Sequence, residues 1–349
     1  MADFAINDRE IGPGHPTYLI AELSGNHGGD IERAKRLVQA AADAGADAVK
    51  LQTYTADTIT IDCDTEPFRI QTGTLWDGRV LHELYREAYT PWDWHDPLAS
   101  LAESLGMHCF SSPFDPTAVD FLETKNVPAY KIASFELVDL PLLRYVAAKG
   151  KPIILSTGMA TASEIEEAVA AIRETAPVPL ALLKTNSGYP AKPEEMKLRL
   201  LPELATRFDV VAGLSDHTLG NTVAVAAVAL GASLIEKHLT LARADGGPDA
   251  AFSLEPAELA ALVEAVRTTE AALREGDFGP TEREQGSLPF RRSLFAVEDI
   301  AAGDVFTEEN VRSIRPAHGL HPRHFDEVLG RRAKQAIERG TPLSWTLIE

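Results

Sequence analysis

The chain has 349 residues, 52 acidic against 33 basic, and a formal net charge of −19. That balance excludes nucleic acid and anionic membrane as principal partners, because both demand a basic footprint. A composition 45% hydrophobic and 24% charged belongs to an ordinary globular chain with a sizeable core, and two cysteines, Cys63 and Cys109, exclude a disulfide framework or a thiolate zinc site.

The N-terminal stretch "MADFAINDREIGPGHP" has no charged-then-apolar leader pattern. The longest apolar run, "VAVAAVALGASLI", is too short to cross a bilayer, so the expected location is the cytoplasm. From residue 18 onward, short β-rich runs alternate with amphipathic segments. In order they are "YLIAEL", "AVKLQT", "HCFSSP", "AYKIAS", "PIILSTG", "LALLKTN", "VVAGLSD" and "SLIEKHL". Helical segments such as "DIERAKRLVQAAADAGA" and "TASEIEEAVAAIRETA" follow them. Runs that are apolar almost throughout suit parallel strands buried on both faces. Eight such units predict a (β/α)8 TIM barrel over residues 1–275. A doubly wound open sheet is the alternative, but no glycine-rich dinucleotide turn follows the first strand.

After "KLQTY" about 50 residues pass before the next strand, a length that compact domains reserve for functional or disordered loops. Its aromatics, among them Trp76, Tyr85 and Trp92, predict an ordered wall beside an active site, with Trp76 and Trp92 serving as loop core. The polar, Gly- and Pro-punctuated "EGDFGPTEREQGSLPF" reads as a linker, placed at 276–290. Residues 291–349 are short strands and turns, too few for a robust core without another surface to pack on.

Barrel chemistry sits at the C-terminal ends of the strands. Those ends carry Glu22, Lys50, Ser112, Lys131 and Ser134, then Ser156, Asn186 and Ser187, and finally Ser215, His217, Glu236 and His238. A single Ser or Thr after a strand is ordinarily a helix cap. Lysines and serines converging on one mouth suit a phosphate together with a carboxylate, because hydroxyls and helix N-termini donate hydrogen bonds and lysine adds charge. His217 and His238 close consecutive strands, so their imidazoles emerge side by side, either to share a metal or to fill core space. Two imidazoles with waters suit Mn2+ or Mg2+ better than structural zinc.

The segments "YLIAELSGNHGGDIERAKRLVQAAADAGADAVKLQT", "SSPFD", "YKIAS", "ILSTGM", "GLSDHT", "EKH" and "GGPDAAFSLEP" resemble the sialic acid synthase family in order along the barrel. The tail "RRSLFAVEDIAAGDVFTEENVRSIRP" resembles its antifreeze-like (SAF) domain. The resemblance implies a transferase that condenses phosphoenolpyruvate with an N-acetylated amino sugar, forming a C–C bond and a nonulosonic acid for a surface glycan. It also implies a divalent metal on His217 and His238, Mn2+ first, with Mg2+ or Co2+ as alternatives. Lys50, Ser112, Lys131, Ser134, Ser156 and Ser215 match positions that bind phosphoenolpyruvate. Glu22 matches an acid–base residue and Asp249 a sugar-binding carboxylate. Arg315 matches an arginine placed over a neighbour's barrel in a swapped homodimer. The stretches "LQTYTADTITID", "TLWDG" and "YTPWDWH" are similar to the branch that uses 2,4-diacetamido-2,4,6-trideoxy-L-altrose; sialic and legionaminic acid synthases are the alternatives within the family.

Three departures stand out. "NHGG" replaces the family's "NHNG" or "NHEG", "TNSGYP" replaces a run like "CTSSYP" and leaves the roles of Asn186 and Ser187 open, and Ala317 stands where a glycine is usual. Outside the family, a Schiff-base aldolase with Lys131 or Lys50 as imine former, and a non-enzymatic sugar-binding protein, are the rival expectations.

Overall fold

Each of the eight β-rich runs becomes a strand. The structure is a computed structural model and describes residues 3–71 and 73–349; Met1 and Ala2 of the N-terminal stretch and Thr72 of the long loop lie outside them. The chain divides into two units, Met1–Arg274 and Glu275–Glu349.

In the first unit, a short antiparallel hairpin, β1 (Phe4–Ile6) and β2 (Arg9–Ile11), precedes eight parallel strands. These are β3 (Tyr18–Glu22), β4 (Ala48–Thr53), β5 (His108–Pro113), β6 (Tyr130–Ile132), β7 (Ile153–Ser156), β8 (Leu180–Thr185), β9 (Val211–Ser215) and β10 (Leu234–His238). They close in sequence order, β10 pairing with β3, into the expected (β/α)8 barrel. The hairpin had no counterpart among the expected elements: three-residue strands are too short for a periodic signal. Its Phe4, Ile6 and Ile11 join Tyr18, Phe110 and Ile154 of the strands in one buried cluster.

That cluster explains where the chemistry falls. Side chains alternate along a strand, so a residue two positions beyond an interior one faces inward again. Ile20 precedes Glu22, Ala48 precedes Lys50, Phe110 precedes Ser112 and Ala129 precedes Lys131; each first member belongs to the apolar interior cluster. The same step leads from Ile154 to Ser156 and from Leu234 to Glu236. An apolar layer therefore lies beneath a polar one. The intervening residues, such as Leu19, Val49, Leu155 and Ile235, face the surrounding helices in a second, larger cluster.

The long loop is ordered by helices Ala56–Ile59, Leu81–Ala88 and His95–Ser104. Tyr54 meets Tyr85 and Phe114 edge-on at 5.7 and 5.1 Å. Trp92 packs on Phe121 at 4.7 Å, as loop core should.

The second unit carries an antiparallel pair, β11 (Ser293–Ala296) and β12 (Val311–Ile314). It has its own buried cluster, built on Leu294, Phe306, Val311, Ile337 and Leu343. Residues 275–290 hold the turns Glu282–Gln285 and Leu288–Phe290. No helix among the described residues is long and apolar enough to cross a membrane.

Candidate active site

Strand register sets the polar layer. Glu22 lies beside Lys50 on one side and His238 on the other. Lys50 Nζ contacts Glu22 Oε2 as an ion pair, donates to Ser112 Oγ at 3.2 Å, and stands 3.8 Å from Glu236 Oε2. Lys131 Nζ is 3.4 Å from Glu236 Oε1, which also accepts a 2.9 Å bond from Ser215 Oγ. Two lysines and two carboxylates thus form one quartet, every member at most 3% exposed. Burial, reinforced by the charge of Glu236, pushes the Glu22 carboxyl up to about 7 against the pull of Lys50. Burial pushes Glu236 upward too, but Lys131 and Lys50 outweigh it and hold it at about 2. Burial lowers Lys131. Neighbouring environments have split two like carboxyls into a proton-holding group and a permanent anion.

The two imidazoles stand beside the quartet, ring centroids 5.3 Å apart. His217 Nδ1 bonds the Asn186 carbonyl at 2.8 Å, which puts its proton on Nδ1 and leaves Nε2 as a lone pair. Burial lowers His217 to about 4; burial and the adjoining His217 ring hold His238 well below the usual histidine range. His238 Nδ1 is buried without a hydrogen-bond partner. Among the described residues no three His, Cys, Asp or Glu side chains gather as a metal cage. Two neutral imidazoles, one with its tautomer fixed by a carbonyl and the other with an unpartnered buried nitrogen, nevertheless fit a divalent metal completed by water or substrate. Tyr189 and Phe252 flank the pair, at 4.5 Å from His217 and 4.9 Å from His238.

A hydroxyl cradle adjoins it. Gly158 N donates to Ser134 Oγ at 3.0 Å. A Cβ on Gly158 would sit 2.3 Å from Ser187 Oγ and 2.6 Å from Ser134 Oγ, so only glycine lets these hydroxyls close round one spot. Ser156 Oγ is buried and unpartnered. Asn186, by contrast, spends its side chain on its own loop, accepting from Gly188 N at 2.7 Å; its link to the site is the carbonyl beneath His217. Asp249 is held by Ser24 Oγ, and burial raises its carboxyl. Trp76, expected as loop core, reaches the rim instead: its Nε1 donates to Pro248 O at 2.9 Å and its ring tilts over Tyr189 at 5.4 Å. Arg315 lies in the second unit, lining a cavity with Arg291 and Arg292.

The sequence left some site residues unremarked. Glu136, four residues beyond the end of β6, has a buried, unpartnered Oε2, and burial raises it to about 7. Tyr189, Phe252 and Gly158 sit in loops, where no periodicity marks a direction. Gly28, where the family has Asn or Glu, takes φ 58° with open space around it, a left-handed position that glycine occupies freely and asparagine tolerates. The polar side chain lost there leaves the backbone turn intact.

The sequence profile of the NeuB family matches residues 37–278, and that of the SAF domain residues 291–349. The chain belongs to the NeuB family. Among its relatives, the NeuB-family pseudaminic acid synthase of Campylobacter jejuni strain 81-176 is 45% identical over 93% of this chain and 95% of its own. The N,N'-diacetyllegionaminic acid synthase of Legionella pneumophila is 35% identical over 95% of this chain and 94% of its own. Among solved structures, the N-acetylneuraminic acid synthetase of Leptospira borgpetersenii in complex with citrate superposes with a TM-score of 0.73 at 31% identity, covering 82% of this chain and 95% of that one.

Proposed function

We propose that this NeuB-family enzyme is a pseudaminic acid synthase, joining phosphoenolpyruvate, 2,4-diacetamido-2,4,6-trideoxy-L-altrose and water into pseudaminic acid and phosphate. The observation that carries the chemistry is the buried lysine–carboxylate quartet set between a hydroxyl cradle and two neutral imidazoles. The sugar rests on identity, 45% to a pseudaminic acid synthase against 35% to a legionaminic one. The reaction is placed in the cytoplasm, and the working form is a homodimer in which the partner subunit's Arg315 completes each barrel.

Ser134, Ser156 and Ser187 with Gly158 N would hold the phosphate, and Lys50 and Lys131 the charge of phosphate and carboxylate. Both lysines are engaged by carboxylates in the free enzyme. Because Glu22 takes a proton near neutrality, Lys50 can turn from it to the substrate. Asp249 and Tyr189 would orient the sugar. The methylene carbon of phosphoenolpyruvate attacks the sugar aldehyde while water adds at the phosphate-bearing carbon. Glu22 gives its proton to the aldehyde oxygen as the C–C bond forms and regains one from the attacking water; the C2 hydroxyl proton leaves with phosphate as the C–O bond breaks and C2 becomes a carbonyl. A divalent metal on His217 and His238, Mn2+ first, would supply Lewis-acid polarisation of the aldehyde.

The test is phosphate release by chelated and Mn2+-restored protein, with the altrose sugar and N-acetylmannosamine in parallel. Metal-dependent release with the altrose sugar alone is the expected result. Release with N-acetylmannosamine would move the chain to the sialic branch. Trapping by borohydride and pyruvate, with activity untouched by chelator, would replace the mechanism by a Schiff-base one.

A further inference from the structure

Every fully buried lysine of the barrel has a carboxylate. Lys50 has Glu22, Lys131 has Glu236, and Lys237 has Asp216 at 2.9 Å. Lys184, half-buried on the outward face at the end of β8, departs from that pattern. Its recorded bond is a 2.9 Å donation to the carbonyl of Thr185, and no carboxylate among the described residues pairs with it. The charge that acts on it is a second cation, Lys197, which together with burial lowers its pKa. A half-buried ammonium beside another ammonium is costly without a paired counter-ion.

Both lysines line a cavity of about 440 Å3 between helices Ala162–Thr175 and Leu201–Phe208. That volume is in the range of small-molecule sites, about 300–1,000 Å3. Ile165, Leu204 and Phe208 form an apolar part of the lining; Glu195 and Glu203 also line it, and Asn186 and Ser187 line it toward the barrel mouth. Arg207 on the same wall is already paired with Glu166 and Glu203. We propose that this cavity is a second binding site, for a small organic anion whose carboxylate or phosphate head pairs with Lys184 and Lys197 and whose apolar body lies along Ile165, Leu204 and Phe208. It adjoins the cradle, Ser187 lying in the lining of both, and it does not depend on which sugar the enzyme uses.

The full-length protein is acetylated with N-acetoxysuccinimide, and Lys184 modification is followed by peptide mass spectrometry. Phenyl phosphate, hexanoate and inorganic phosphate are the probes. Phenyl phosphate and hexanoate slow Lys184 acetylation about threefold at twice their dissociation constants, while exposed Lys192 is unaffected. Leu200→Trp, which fills the cavity from an exposed position, removes the protection and leaves turnover unchanged. Equilibrium dialysis provides a second measure: Lys184→Met binds one phenyl phosphate fewer per chain than the unaltered protein. No protection by either organic anion, protection that survives Leu200→Trp, or unchanged stoichiometry in Lys184→Met would each overturn the site. Equal protection by inorganic phosphate would overturn the assignment to an organic anion.

Discussion

Gly158 is the residue whose replacement most directly tests the cradle. A methyl group there displaces the Ser134 and Ser187 hydroxyls rather than backbone, so the barrel survives while the anion site opens. Gly158→Ala is expected to raise KM for phosphoenolpyruvate about tenfold or more, the loss of one or two charge-assisted hydrogen bonds, with Tm nearly unchanged. Glu136 tests the electrostatics. Its folded carboxyl is raised from the ordinary 4.5 to about 7 by burial. Between those values the folded state holds a proton that the unfolded state has lost. Its contribution is therefore complete below about pH 4.5 and is lost as the pH rises to about 7. Thermal unfolding at pH 5 and pH 8 should show a smaller fall in Tm for Glu136→Gln than for the unaltered chain. An equal fall would mean that Glu136 is solvated like any surface carboxylate.

At the scale of elements, the imidazole pair depends on two strands staying in register, and a buried ion pair on the outer side of the barrel ties them. Asp216 precedes His217 and Lys237 precedes His238. Lys237 Nζ bonds Asp216 Oδ2 at 2.9 Å, while Asp216 Oδ1 accepts from Thr218 N and Oγ1 at 2.9 and 2.8 Å. Removing one partner strands a buried charge, so Lys237→Met should cost about 3–5 kcal/mol, and Asp216→Asn with Lys237→Met should cost less. Denaturant unfolding of the two variants distinguishes this from an ordinary surface pair, for which the single change would cost under about 1 kcal/mol. The strands themselves were legible, because buried parallel strands are short, continuous apolar runs, here of three to six residues, bounded by turn residues. Tyr189 and Phe252 were not, because a loop has no period from which a direction follows.

For the whole molecule, the proposed exchange of Arg315 between chains is the feature to test. If the arginine comes from a partner, Arg315→Ala protomers mixed with Glu22→Gln protomers form heterodimers in which an intact barrel meets an intact arginine. Random pairing then restores about a quarter of normal turnover from two inactive preparations. Phosphate release after co-refolding or co-expression is the measurement, and no recovery would mean that each chain serves its own barrel. The second unit's separate buried cluster around Leu294, Phe306 and Leu343 is what would let it act as a module in such an exchange.

The amino-acid sequence by itself determined the barrel and the ring of strand-end residues. Alternation along a strand and the step from one strand to the next are local rules, so Glu22, Lys50, Ser112, Lys131 and Ser156 could be assigned to one mouth before any contact was known. Only the tertiary structure decided what those residues do to one another. That Glu22 holds a proton near neutrality while Glu236 stays an anion depends on two lysines from other strands and on shared burial. That Asn186 serves through its carbonyl, and that Lys184 lacks a carboxylate partner among the described residues, follows from groups brought together across the fold. Desolvation and Coulomb forces act through space, and a one-dimensional pattern records neighbours along the chain rather than neighbours across the barrel.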